Sequence, residues 1–171
     1  CWTTFVQEEA KQTVKKEDKL RKTLREAIKR QNGSNPFVHL SWIESHLTSV
    51  GFPDIEYCCY GVCGQIELKA GPDLEVRPTQ VRWMEERVRV GGKPLFLIQW
   101  DDVYTVVPGS KACDIRRNPS LENILRCSSS IWGGDFPVLE LIRVMRNPGG
   151  EYDKVNDNGT NPSASVGRAR K

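Results

Sequence analysis

Asp54-Ile55-Glu56-Tyr57-Cys58-Cys59-Tyr60-Gly61-Val62-Cys63-Gly64-Gln65-Ile66-Glu67-Leu68-Lys69 is the stretch on which the fold turns. β-Branched, aromatic and cysteine residues on both sides of Tyr60-Gly61 predict a β-hairpin. With Tyr60 and Gly61 as the two turn residues, Cys59 faces Val62 and Cys58 faces Cys63. The same register carries Asp54 opposite Glu67. Alternate residues of a strand share a face, so Ile66 and Leu68 point into a core while Glu67 and Lys69 point together the other way.

Upstream of the hairpin, residues 5–31 read as a helix. Val6, Ala10, Val14, Leu20, Leu24 and Ile28 recur at helical spacing, and Asn32-Gly33-Ser34-Asn35-Pro36 ends the run. Phe37 to Leu40 is a short strand; Trp42 to Leu47 could form a helical turn before Gly51 and Pro53 break it. Downstream, Pro78 opens a helix that Gly91-Gly92 stop. Leu95 to Trp100 and Val103 to Val107 are strands, the first apolar enough for burial on both faces. This order predicts the α/β class, a mixed sheet flanked by helices. Beyond Pro108, Leu121–Arg126 and Val138–Met145 are short helices of a C-terminal extension expected to pack on the core. From Asn147 to Lys171 apolar residues are nearly absent and the end is basic, so this tail is expected to be disordered.

The 171 residues suit one domain plus an extension, with no internal repeat. The longest apolar run, Leu95 to Ile98, is far too short to span a membrane. No secretory leader is visible, so an intracellular protein with reduced cysteines is expected. The six cysteines contain no CxxC pair and only His39 and His46 could assist them, which argues against zinc. The formal charge of +3 hides an asymmetry. Residues 11–30 hold nine Lys/Arg (among them Lys15, Lys16, Lys19, Arg21, Lys22, Arg25, Lys29 and Arg30) against Glu17, Asp18 and Glu26, net +6. Such a stripe is the footprint of a polyanion, though a solvated helix face would look the same.

Two carboxylates facing each other across a hairpin repel unless a cation sits between them. A hard divalent ion is the natural occupant: Mg²⁺ takes one or two carboxylates and completes its shell with water and phosphate. Lys69, on the same face, could position or deprotonate an attacking water, or stabilise the pentavalent phosphorus. Glu17 lies in line with Val14, Leu20, Leu24 and Ile28, an inward carboxylate in want of a partner. Gln80, in the first turn of the second helix, is a candidate polar ligand or water orienter.

Asp54 followed by Glu67-Leu68-Lys69 resembles the PD-(D/E)XK nuclease superfamily, and the fuller string resembles its VRR-NUC branch. The matching features are the Glu17 helix closed by Asn32-Gly33, Gly51-Phe52-Pro53-Asp54, Ile66-Glu67-Leu68-Lys69, and Arg77-Pro78-Thr79-Gln80 opening a helix before an apolar strand. They cover roughly residues 14–107. The resemblance implies a restriction-endonuclease-like core over residues 5–107, an extension over 108–146 and the tail over 147–171. It implies Mg²⁺- or Mn²⁺-dependent cleavage of DNA, often at branched, flapped or junction structures, of the stand-alone type that phages and bacteria carry. Asp54 and Glu67 would be metal ligands, Lys69 the catalytic lysine, Glu17 the helix carboxylate that also serves the metal, and Gln80 the accessory glutamine. The segment from Asn32 to Asp54 is longer than usual for the branch, so Glu44 competes with Glu17. Asp73 and Glu75 stand where basic or glycine residues are more usual. Junction cutting would call for paired sites, which a homodimer provides. The rival readings are a non-catalytic nucleic-acid-binding module on the same fold, a sequence-specific restriction-type nuclease, and a scaffold with surface charge.

Overall fold

The computed structural model describes residues 2–43 and 51–149, with side chains from Lys15 onward. Glu44, His46 and the chain beyond Gly149 lie outside the described residues. The elements are α1 (Trp2–Asn32), β1 (Val38–Trp42), β2 (Ile55–Cys59), β3 (Val62–Ala70), α2 (Pro78–Arg89), β4 (Leu95–Trp100) and β5 (Val103–Pro108). A 3₁₀ turn (Gly109–Lys111) then leads to α3 (Ala112–Arg117), α4 (Leu121–Cys127), β6 (Ser130–Gly133) and α5 (Val138–Arg146).

The six strands form one mixed sheet in chain order. Among the described strands only β3 and β4 run parallel, joined by the crossover through α2, so the chain is of the α/β class. The hairpin register matches the expectation: Cys59 pairs with Val62 and Cys58 with Cys63. Tyr60 (φ 49°) and Gly61 (φ 83°) supply the two positive-φ positions that a tight two-residue turn of the right twist requires. The expected short helices of the extension are present, and the chain between them does something the sequence pattern did not signal: Ser130–Gly133 adds a sixth strand beside β5.

The sheet is covered on both faces. On one side Leu20, Leu24 and Ile28 of α1, with Leu141 and Met145 of α5, bury against Ile55, Tyr57, Ile66, Leu68, Leu95 and Leu97. On the other side Val81 and Met84 of α2, Ile115 of α3 and Ile124 of α4 bury against Phe96, Ile98 and Val107. β4 serves both cores, which is why Leu95 to Ile98 is uninterruptedly apolar. Each fully buried Leu or Ile contributes roughly 1.5–3 kcal/mol over its exposed state. No helix among the described residues is long and apolar enough to cross a membrane.

Candidate active site

The site forms where the hairpin ladder stops. The last β2–β3 pair is Ile55 with Ile66, and β3 runs on to Ala70 without β2 beside it. A strand continuing alone leaves backbone donors without partners. The Asp54 carboxylate fills that role: its Oδ2 accepts from the Leu68 N–H at 2.9 Å, and its Oδ1 accepts from Arg21 Nη2 at 2.8 Å. Asp54 is therefore the first residue beyond the ladder, bonded to the backbone of β3 and to α1.

The loop carrying Asp54 is pinned against α2. Gly51 has φ +92°, and a Cβ there would collide with the Thr79 carbonyl. Phe52 meets Trp83 edge-on, with ring centroids 5.1 Å apart. The loop thus sits directly on the helix start that bears Gln80.

Glu67 and Lys69 share the face expected of them, but that face is closed rather than exposed. Glu67 is 3% and Lys69 5% exposed. Their β4 neighbours are Phe96 and Ile98, so the surroundings are apolar. The Lys69 ammonium lies 3.0 Å from Glu67 Oε1 and 3.7 Å from Glu17 Oε1. Gln80 is buried; its Nε2 donates a short hydrogen bond to Glu67, while its Oε1 accepts from the Arg77 N–H at 2.9 Å as part of the α2 capping box. That double engagement orients the amide toward the carboxylate.

Burial pushes the Glu67 carboxyl up to about 7; Lys69 opposes the rise and the Asp54 and Glu17 charges add to it. Burial raises Glu17 as well, again opposed chiefly by Lys69. Three carboxylates thus meet two directly paired cations, Arg21 and Lys69, in a low-dielectric setting. Two of them, Asp54 and Glu67, sit at the sheet break itself. Glu17 reaches the cluster through Lys69. Among the described residues no three His, Cys, Asp or Glu side chains are arranged to hold a metal ion. The oxygen-only donor set and the surplus negative charge still fit a hard divalent ion bound by two carboxylates.

All five expected site residues, Asp54, Glu67, Lys69, Glu17 and Gln80, come together. The basic stripe divides. Lys15, Lys19, Lys22, Arg25, Lys29 and Arg30 are exposed along α1, and Lys16 donates to the Gly71 carbonyl at 3.2 Å. Arg21 leaves the stripe and turns inward to Asp54, a role that sequence reading missed. Its spacing held the signal: Arg21 is one helical turn beyond Glu17 and therefore on the same face.

No protein-family model matches the chain, and no curated protein matches it either.

Proposed function

We propose that this chain is a Mg²⁺- or Mn²⁺-dependent DNA endonuclease on a restriction-endonuclease-like core, hydrolysing phosphodiester bonds at branched, flapped or junction DNA in repair, recombination or phage DNA processing. The observation that carries the reading is the convergence of Asp54, Glu67 and Lys69 at the point where β3 outruns β2. A strand pair built for stability alone has no use for a carboxylate buried as Glu67 is, with a second, half-buried one at Asp54 nearby.

Asp54 and Glu67 would hold the ion, with Glu17 supporting through water. What the ion supplies when bound is charge neutralisation at the scissile phosphate and a lowered pKa for the attacking water. Gln80 fixes the orientation of the Glu67 carboxylate, as outer partners of metal ligands do. Lys69 carries its charge within reach of Glu67 and Glu17, where it can align the water or stabilise charge developing on phosphorus. The exposed cations of α1 can hold flanking phosphates without reading sequence.

A second reading has one observation in its favour. Arg21 and Lys69 pair with both carboxylates, so cations of the chain itself can balance their charge, as a non-catalytic DNA-binding module would require. One assay separates the two: purified protein and its Glu67→Ala variant on plasmid, linear duplex, single strand, flap and four-way junction, with Mg²⁺, Mn²⁺ or EDTA. The nuclease reading expects metal-dependent cutting that the variant loses. Metal-independent DNA binding with no cutting on any substrate would establish the binding module instead.

A further inference from the structure

We propose that the groove between the C-terminal half of α1 and the edge strand β1 binds an unpaired DNA strand and leads it into the carboxylate site. The proposal deepens the nucleic-acid reading above by naming the strand form that the protein engages, and it does not depend on cleavage.

The groove has a volume of about 350 Å³. One wall is basic, Arg25 and Lys29 of α1, and among the described residues no carboxylate lines it. The floor is apolar, with Ile28, Val38 and Leu40, and Trp42 closes one end. Among the described residues β1 pairs only with β2 and so forms the edge of the sheet. A duplex offers a surface groove little besides phosphates and sugars, and an apolar floor adds nothing to holding those. An unpaired strand offers phosphates together with the faces of its bases, which match a basic wall and an apolar, aromatic floor.

The groove is also joined to the carboxylates. The Arg25 and Arg21 guanidinium carbons lie 4.7 Å and 5.7 Å from the centroid of the Trp42 ring. Arg21 is in turn the partner of Asp54 at 2.8 Å, and the Ile43 N–H donates to the Asp54 carbonyl at 2.9 Å. Trp42 and Arg21 therefore stand at the junction of groove and site.

The test is fluorescence anisotropy in EDTA, where metal-dependent cutting cannot occur. The probes are a labelled oligodeoxythymidine, a blunt duplex and the same duplex with an unpaired arm. The wild type should prefer the oligothymidine and the armed duplex over the blunt duplex. Arg25→Glu/Lys29→Glu, both exposed, should weaken oligothymidine binding by about tenfold or more and reduce the log–log salt slope by about 1.4, the share of two single-strand phosphates. Trp42→Leu keeps an apolar side chain and should weaken binding without changing the slope. Wild-type binding to the blunt duplex as tight as to the single strand, or unaltered oligothymidine affinity in the double variant, overturns the proposal. A protein that cuts DNA yet gives either result keeps the nuclease reading and loses this one. A protein that never cuts but binds through the groove does the reverse.

Discussion

β3 has two halves. Over Val62 to Ile66 it is an ordinary hairpin arm, paired on one side to β2. Over Glu67 to Ala70 it keeps β4, loses β2 and remains buried. In the first half the backbone is satisfied by its partner strand, and the side chains have only to pack. In the second the missing partner is replaced by a side chain, Asp54, and the buried face carries Glu67 and Lys69 instead of aliphatic groups. Within the second half the contrast repeats residue by residue. Leu68 points into the α1–α5 core, while its neighbours Glu67 and Lys69 face α2 and the helix carboxylate Glu17. Breaking the ladder is what opens room for charge inside a sheet.

Three substitutions probe this contrast. Leu68→Ala acts on the core side and has the largest effect, a loss of about 2–5 kcal/mol. Urea denaturation should give the same loss in EDTA and in Mg²⁺, because Leu68 belongs to packing alone; a metal-dependent loss would erase the distinction between the two faces.

Glu67→Gln acts on the charged side and should flatten the pH dependence of the metal-free protein's stability. The folded carboxyl titrates near 7 against an ordinary value of 4.5. The folded state therefore binds the proton more tightly, and stability falls as pH rises from about 4.5 to about 7, by on the order of 3 kcal/mol in all. Glutamine has no such titration. Thermal melts in EDTA should show the variant's advantage growing from pH 5 to pH 8; parallel profiles would mean that Glu67 carries no burial penalty. On the nuclease proposal, the same variant should lose cutting, an exchange of stability for function.

Gln80→Ala has the smallest expected effect. The fold should hold, since the capping box is one contact among many, while Mn²⁺ affinity measured by calorimetry falls about 10–100-fold as Glu67 loses its orienting partner. Unchanged affinity would reduce Gln80 to a helix cap.

The hairpin register was legible because an alternating strand with a Tyr60-Gly61 turn admits few pairings, and a one-residue slip would turn Ile66 and Leu68 out of the core. The helix face of α1 was legible from Leu20, Leu24 and Ile28, and the start of α2 from Pro78. Of the candidate site, the shared face of Glu67 and Lys69 and the nearness of Asp54 were legible from the register, while Glu17 and Gln80 were candidates whose meeting with them the sequence did not show. β6 was not: Ser-Ile-Trp-Gly is too short to announce a strand, and it becomes one because β5 offers an edge. Arg21 reads as one of the solvent-facing cations because charge runs are usually solvated; its spacing from Glu17 puts it on the inward face, and the Asp54 loop supplies the partner.

Local periodicity, turn chemistry and helix boundaries depend on neighbours along the chain, and the sequence by itself determined them. It also placed Glu67 and Lys69 on one face of one strand. That this face is closed, that α2 brings Gln80 onto Glu67, and that α1 brings Glu17 onto Lys69 were decided by the tertiary structure alone. The reason is physical: a charged side chain takes its pKa, its partners and its cost from whatever covers it, and the covering elements lie far away in sequence.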